Sequence, residues 1–164
     1  MRYFAYGSNL STLRLRARVP SATPLCVAAL PRHELKFHKK GRDGSGKCDA
    51  WHTGNGKHRV VGVVFELAAA DKPVLDDFEG LGVGYEEKWV EVVTPNGTLL
   101  EAFTYCALEI QSGLDPYEWY LCHVLTGARE HGLPTEYIQT IEAVPSMADP
   151  NALRHAREMR IYGG

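Results

Sequence analysis

Residues 3–10 read YFAYGSNL, an apolar run that ends abruptly in a small polar turn. The run Arg2–Tyr6 predicts a short buried strand, and Gly7-Ser8-Asn9 is a loop-forming triplet. Because Gly7 has no Cβ, backbone N–H groups there can approach a ligand closely, while Ser8 and Asn9 add side-chain donors. Such a turn suits an anionic or carbonyl oxygen, although its local features alone favour an ordinary strand-to-helix turn with a capping side chain.

Five further segments have the pattern of β-strands. Val60–Leu67 gives the strongest signal because it is rich in β-branched residues. Two strand patterns separated at Pro31 precede it, and a hairpin pattern with a Pro95-Asn96-Gly97 turn follows it. The predicted strands are Leu25–Leu30, Glu34–His38, Val60–Leu67, Lys88–Thr94 and Thr98–Leu108. The segment from Lys39 to His58 contains many Gly, Lys and Asp residues, and we expect a long loop there.

Helical spacing dominates the C-terminal part of the chain. Ser11 is expected to cap the first helix, and Gly80 to close the second, which Asp71 caps. The expected helices are Thr12–Arg18, Asp71–Glu79 and three that start at Pro116, near Thr135 and at about Asn151. Strands come first and helices last, which predicts an α+β fold. Neither a repeat nor a linker divides the chain, so we expect one domain over residues 1–164.

The composition is that of a globular protein. Of the 164 residues, 45% are hydrophobic and 23% are charged, and the formal net charge is −2. This balance gives no general attraction to nucleic acid or to a membrane surface. The N-terminal run is too short and too polar for a signal peptide, and no apolar run approaches a membrane span. The four cysteines form no C-x-x-C pair, so we expect reduced thiols and a cytoplasmic location.

A second candidate for chemistry is the carboxylate that ends the second predicted helix. Glu79 follows Phe78 at the end of an apolar pattern and is expected to be partly buried in a cleft, where carboxyl groups take up protons more readily. The competing interpretation is a solvated carboxylate at a helix end. Spacing alone does not choose among the five acids Asp76, Asp77, Glu79, Glu86 and Glu87.

Other functional signatures are weak or missing. The basic stretch Arg32–Arg42 could attract phosphates, but the acidic residues elsewhere favour a solvated surface. The histidines lack the spacing of a zinc site, and no H-E-x-x-H, G-x-S-x-G, P-loop or G-x-G-x-x-G motif occurs. Hydrolases and nucleotide enzymes with readable signatures are therefore disfavoured.

Three segments together resemble the γ-glutamylcyclotransferase family, in its vertebrate-type, AIG2-like branch. Residues 3–10 resemble the opening motif of the family, and residues 75–80, LDDFEG, resemble the segment with its catalytic glutamate. Residues 127–137, GAREHGLPTEY, resemble a helix–turn stretch typical of the branch. The likeness extends from the first strand to about Pro145. It implies a mixed β-barrel core with flanking helices, without a metal or a cofactor.

The resemblance also implies an activity and a set of site residues. The family releases 5-oxoproline from γ-glutamyl amino acids or amines by intramolecular ring closure. By position, Glu79 is the catalytic proton-transfer residue. The matches that bind the substrate are Tyr6, Gly7, Ser8, Asn9, Leu10, Tyr85, Tyr105 and Tyr120. The spacing between Glu79 and Tyr85 differs by one residue from the vertebrate pattern.

Two alternative functions stay open. One is a catalytically silent γ-glutamyl-binding or interaction module, in which loss of the acid is expected, whereas Glu79 is present. The other is a cyclotransferase for a γ-glutamyl-protected biosynthetic intermediate, because residues 39–58 diverge from the family and could border the leaving group. As partners, the resemblance implies a small-molecule substrate, no nucleic acid, no membrane and a homodimer.

Overall fold

The structure, a computed structural model, describes residues 1–163. It contains one strand more than the sequence predicts, because the strand Gly46–His52 lies where a loop is expected. The strands are β1 (Arg2–Ala5), β2 (Thr23–Pro31), β3 (His33–Lys40), β4 (Gly46–His52), β5 (Arg59–Glu66), β6 (Tyr85–Val93) and β7 (Leu99–Ala107). The helices are α1 (Thr12–Arg18), α2 (Lys72–Glu79), α3 (Glu118–Glu130), α4 (Thr135–Glu142) and α5 (Ala152–Met159).

Five strands close into a barrel in the order β1, β5, β2, β6, β7. The pair that closes it is parallel, with Tyr3 opposite Phe103, and the other pairs are antiparallel. Six consecutive residues of β5, from Val60 to Phe65, are buried, which explains why this run gives so strong a signal in the sequence. The α+β fold with a mixed β-barrel core and flanking helices is thus confirmed.

The prediction of a loop between Lys39 and His58 is wrong for much of that segment. Strands β3 and β4 form an antiparallel hairpin in which His33 pairs with His52 and Lys40 with Gly46. Strand β4 escapes recognition because its buried residues include Asp49, a residue that strands usually avoid. The Asp49 carboxylate accepts hydrogen bonds from His38 and from the backbone N–H of Ala107, each at 2.8 Å, and these contacts offset its burial.

Helix ends mostly follow their sequence signals. The Ser11 Oγ accepts a hydrogen bond from the Arg14 N–H at 3.4 Å, and Gly80 ends α2 in the left-handed region at φ 66°. Asp71 differs from the expectation, since its side chain makes no capping hydrogen bond. Its carboxylate instead accepts from the Ser21 N–H at 3.3 Å, which ties the start of α2 to the segment before β2.

Helix α3 packs closely against the 3₁₀ turn Ser8–Leu10 that follows β1. A Cβ added to Gly127 would lie 2.2 Å from the carbonyl carbon of Leu10 and 2.3 Å from the Ser11 nitrogen. Only glycine allows the helix to come this near to the turn. The turn is therefore fixed between β1 and α3.

The C-terminal segment is joined to this same region by a buried histidine. His123 on α3 is fully buried, and its Nδ1 lies 2.7 Å from the hydroxyl of Tyr162. Arg14 Nη1 lies 2.9 Å from its Nε2 and also forms an ion pair with Glu158, whose carboxylate lies 3.3 Å from the same Nε2. The Tyr162 hydroxyl donates to the Ser11 Oγ at 2.9 Å, so the last residues are bonded to the start of α1.

No helix within residues 1–163 is both long and apolar enough to cross a membrane.

Gly127→Ala tests the approach of α3 to the turn. Alanine normally stabilises a helix interior by up to about 1 kcal/mol relative to glycine. Here we expect the opposite sign, a loss of about 1–3 kcal/mol, because the new methyl group overlaps the backbone of the turn. Urea unfolding measures the free energy of unfolding. A more stable variant would show that the helix and the turn are not in close contact.

The ion pair of Glu158 should make the stability of the folded protein sensitive to acid. Burial alone would raise the pKa of its carboxyl group, but His123 and Arg14 together lower that pKa to about 2. A carboxyl group whose pKa falls on folding stabilises the folded state above its unfolded value, and this stabilisation is lost as the pH falls toward the folded value. Between about pH 4.5 and 2, the free energy of unfolding should therefore fall more steeply in the native protein than in Glu158→Gln. Parallel curves from urea titrations would contradict the ion pair.

Candidate active site

An inner cavity of about 30 Å³ lies where the end of β1, the following turn and the end of α2 meet. Strands β4, β6 and β7 and helix α3 supply its other walls. The residues that line it are Tyr3, Tyr6, Gly7, Ser8, Asn9, Cys48, Glu79, Tyr85, Tyr105 and Tyr120. The structure thus brings together every site residue expected from the sequence except Leu10.

Glu79 is the last residue of α2, and its carboxylate points into the cavity. Its side chain is 15% exposed, and Oε1 accepts a hydrogen bond from Asn9 Nδ2 at 2.8 Å. Arg18 Nη1 lies 3.5 Å from the same oxygen. Phe78 does not form an apolar wall here, because it is 55% exposed and stacks with the Arg18 guanidinium at 4.9 Å. The carboxylate is therefore buried among polar groups.

Asn9 connects the turn to this carboxylate. The side chain is buried, and its Nδ2 lies 3.1 Å from the Tyr3 hydroxyl as well as close to Glu79. Its Oδ1 accepts from Arg18 at 3.1 Å. Both ends of the amide are occupied, so Asn9 has one orientation that satisfies its neighbours.

The turn itself presents backbone more than side chains. A Cβ added to Gly7 would lie 2.9 Å from the Cβ of Cys48 and 3.3 Å from the Tyr120 hydroxyl, so only glycine fits there. Ser8 and Asn9 are the first two residues of the 3₁₀ turn, and their N–H groups precede its first internal hydrogen bond. Leu10 differs from the expectation: its side chain is fully buried in the core, and its N–H donates to the Gly7 carbonyl at 3.0 Å.

Three tyrosines on different elements are held by main-chain groups. Tyr6 donates to the Tyr105 carbonyl, and Tyr85 donates to the Cys48 carbonyl at 2.8 Å. The Tyr120 hydroxyl accepts from the Cys48 N–H at 3.0 Å. Burial raises the pKa of all three phenols well above the usual value, so each remains neutral and able to act as a hydrogen-bond donor.

Tyr105 has a different partner, the carboxylate of Asp76 at 2.6 Å. Lys72 also binds this carboxylate at 2.7 Å and reaches Glu87 at 2.5 Å. Glu86 pairs with Lys88 at 2.9 Å. Of the five acids that the sequence leaves undistinguished, all of them described by the structure, Glu79 is the one that lines the inner cavity.

An outer cavity of about 490 Å³ lies beside the inner one and shares Ser8, Glu79, Tyr85 and Tyr120 with it. Positive charge dominates its walls. The basic lining residues are Arg14, Arg18, Lys39, Lys40, Arg42, Lys47, Arg154 and Arg157, and the acidic ones are Asp43, Glu79, Glu109 and Glu158. Part of the basic stretch Arg32–Arg42, for which a solvated surface is expected, thus faces this cavity.

The sequence does not indicate three of the residues at the site. Tyr3 lies in the opening motif, but nothing in its spacing indicates that it reaches the cavity. Arg18 is the last residue of α1, and its approach to Glu79 depends on how two helices pack. Cys48 lies in the segment interpreted as a loop. No group of three or more His, Cys, Asp or Glu within residues 1–163 is arranged to hold a metal ion.

Cys48 is the one thiol in the lining of the inner cavity. It is 2% exposed, and burial raises the pKa of its thiol to about 12. A thiol acts as a nucleophile only as the thiolate. Cys48 therefore shapes the cavity but does not supply an attacking group.

Comparisons with known proteins identify relatives of the chain. The sequence model of the AIG2-like family matches residues 59–141. Human γ-glutamylcyclotransferase is 34% identical over 149 residues, which span 87% of this chain and 77% of the human protein. A solved structure named γ-glutamyl cyclotransferase has a TM-score of 0.88 at 30% identity and covers 99% of this chain and 98% of its own. The crystal structure of an uncharacterised human protein has a TM-score of 0.82 at 32% identity, covering 89% and 88% of the two chains.

The state of Cys48 is open to a direct test by alkylation. In the folded protein at pH 8.5, iodoacetamide should modify Cys48 at least roughly 10²-fold more slowly than in the urea-unfolded chain, because both the thiolate fraction and the access are low. Peptide mass spectrometry over time gives the two rates. Similar rates would mean an accessible thiolate and would make a thiol nucleophile a serious candidate.

Proposed function

Because the chain belongs to the γ-glutamylcyclotransferase family, with its AIG2-like sequence pattern, we propose that it closes γ-glutamyl amino acids or amines into 5-oxoproline and releases the amino acid or amine. The observation that carries this proposal is the position of Glu79, which lines both cavities. It is a single carboxylate at the junction of a small inner cavity and a large outer one. A γ-glutamyl group at the junction would have its leaving group in the outer cavity.

Ring closure is the reaction that such a site can accelerate with one carboxylate. The substrate's own α-amine attacks its γ-carbonyl carbon, so the nucleophile is already tethered to the bond that breaks. Well-placed intramolecular reactions reach effective molarities on the order of 10⁵–10⁸ M. The protein then needs to hold the substrate in the ring-closing shape and to relay a proton from the attacking nitrogen to the departing one. This requirement explains how a site whose thiol is protonated can still cleave an amide.

Glu79 is proposed to carry that proton. The α-ammonium first gives up one proton to solvent, which frees the lone pair that attacks. As the new C–N bond forms, the Glu79 carboxylate takes a second proton from the attacking nitrogen, and it returns this proton to the departing nitrogen as the old C–N bond breaks, so that the amine leaves neutral. The hydrogen bond from Asn9 at 2.8 Å holds one carboxylate oxygen, which leaves the other oxygen for the substrate. Arg18 Nη1 lies 3.5 Å from the oxygen that Asn9 binds, so both contacts are to this one oxygen.

The γ-glutamyl group is proposed to bind through the turn and the tyrosines. The free N–H groups of Ser8 and Asn9 can donate to the substrate carboxylate or to the developing oxyanion, and Gly7 leaves room for this approach. In this proposal the glutamyl carbon chain lies among the rings of Tyr6, Tyr85, Tyr105 and Tyr120, which line the inner cavity. Leu10 would act indirectly, by holding the turn in shape through the hydrogen bond from its N–H to the Gly7 carbonyl.

The cellular setting is also a proposal. All four cysteines are free thiols, which supports a reducing compartment such as the cytoplasm. Release of 5-oxoproline would place the enzyme among those that process γ-glutamyl compounds, including the metabolism of glutathione. Family resemblance supports a homodimer, and analytical ultracentrifugation would determine the oligomeric state directly.

The experiment that tests this function is incubation with γ-glutamyl-alanine, with 5-oxoproline detected by mass spectrometry. We expect 5-oxoproline and alanine in equal amounts. Calorimetry under the same conditions distinguishes the alternatives. Binding without any product would reject the enzyme and favour a silent γ-glutamyl-binding module.

Glu79→Gln tests the proton carrier. The amide keeps an oxygen acceptor for Asn9 but cannot carry the proton, so kcat should fall by at least roughly 10²-fold while the protein still folds. Glu86→Gln is the matched control, because Glu86 is 44% exposed and pairs with Lys88 outside the cavity. A Glu79→Gln variant with near-normal kcat would remove Glu79 from the mechanism.

A further inference from the structure

Within the described part of the chain, three cations on one side of the outer cavity have no ionic partner. Lys39 and Lys40 end β3, and Arg42 follows in the turn toward β4. Within residues 1–163, none of the three has a carboxylate oxygen within 4.0 Å of its charged nitrogens. The other five cations of the cavity are paired: Arg14 and Arg157 with Glu158, Arg18 with Glu79, Lys47 with Asp43 and Arg154 with Asp149.

Lys39 is the most unusual of the three, because it is only 7% exposed. Its ammonium lies 5.0 Å from the centre of the Tyr85 ring, and a Cβ added to Gly84 would lie 3.0 Å from its Nζ. The same Cβ position lies 3.3 Å from the carbonyl oxygen of Glu79. The ammonium therefore lies against the loop that directly follows the proposed catalytic residue.

A buried ammonium without a counter-ion is costly. Burial lowers the pKa of Lys39, and the charges of Glu79 and Glu109 oppose this effect without forming an ion pair with it. Arg42 approaches the same loop, since a Cβ added to Gly80 would lie 3.4 Å from its Nη2. The arrangement has the charge and position to receive an anion that enters the outer cavity beside Glu79.

We propose that Lys39, Lys40 and Arg42, here called the basic wall, bind a leaving group with two carboxylates, so that the preferred substrates are γ-glutamyl derivatives of acidic amino acids. This inference rests on the proposed function. The buried Lys39 takes the α-carboxylate that every γ-glutamyl amino acid carries. Lys40 and Arg42 are exposed at the cavity edge, and they take the side-chain carboxylate that only an acidic leaving group adds.

Two matched substrate pairs isolate the two charges. γ-Glutamyl-glutamate and γ-glutamyl-glutamine have nearly the same size and differ by one negative charge. γ-Glutamyl-alanine and γ-glutamyl-ethylamide differ by the α-carboxylate of the leaving group. We expect kcat/KM for 5-oxoproline formation to favour the more negative member of each pair by roughly 10-fold or more, the usual effect of a hydrogen bond between charged groups.

Variants assign each preference to its residues. Lys39→Met removes the buried charge at similar length, and it should reduce the alanine-to-ethylamide ratio of kcat/KM by roughly 10-fold. The double variant Lys40→Gln with Arg42→Gln should bring the glutamate-to-glutamine ratio close to one. Lys36→Gln is the control, because Lys36 lies on the same strand, is 41% exposed and pairs with Glu34 at 3.0 Å. This control should keep both native ratios.

The outcomes separate the two proposals. Equal kcat/KM within both pairs would overturn the basic wall while 5-oxoproline formation still upheld the function. Native ratios that persist in the variants would also overturn the wall. If no compound of the four gave 5-oxoproline, the function and the inference that rests on it would fail together. The native protein alone decides the first of these outcomes, even if Lys39→Met does not fold.

Discussion

The close contact between α3 and the turn after β1 fixes the geometry of the site. Gly127 lets the helix backbone meet the backbone of Leu10 and Ser11, where any side chain would collide. With the turn held in this way, the buried amide of Asn9 projects toward the end of α2 and binds Glu79. The contact between α3 and the turn thus places the Asn9 amide that binds the Glu79 carboxylate. Activity is expected to depend on α3 although only Tyr120 of that helix reaches the inner cavity.

The chemistry of the site is limited by the groups in it that do not ionise near neutral pH. The phenols stay protonated and the Cys48 thiol does not ionise near neutral pH, because burial raises the pKa of each. The remaining ionisable group in contact with both cavities is Glu79. One carboxylate is enough for ring closure, because the substrate brings its own nucleophile. Attack by water on an unactivated amide would need further groups to activate the water and the carbonyl.

The sequence predicted the barrel strands and the five α-helices because their apolar periodicity is local. It failed at β4, where the buried Asp49 depends on His38 and on the backbone of β7, partners that only the folded chain supplies. The site shows the same division. Local pattern left Glu79 equal to four other acids, and the family resemblance was needed to choose it. The approach of Arg18 to Glu79 and the position of Lys39 in the wall of the outer cavity arise from packing between distant segments, which no local pattern records.

The central claim is that the substrate's own amine, not water, breaks the γ-glutamyl bond. It is tested most directly by following γ-glutamyl-alanine in ¹⁸O-labelled water by mass spectrometry, with a no-enzyme control for spontaneous closure. If the α-amine attacks, the first product is 5-oxoproline without label, and an Nα-acetylated substrate is inert because its nitrogen no longer attacks. Free glutamate with ¹⁸O in its γ-carboxylate as the first product would contradict the account, even if Glu79 proved essential.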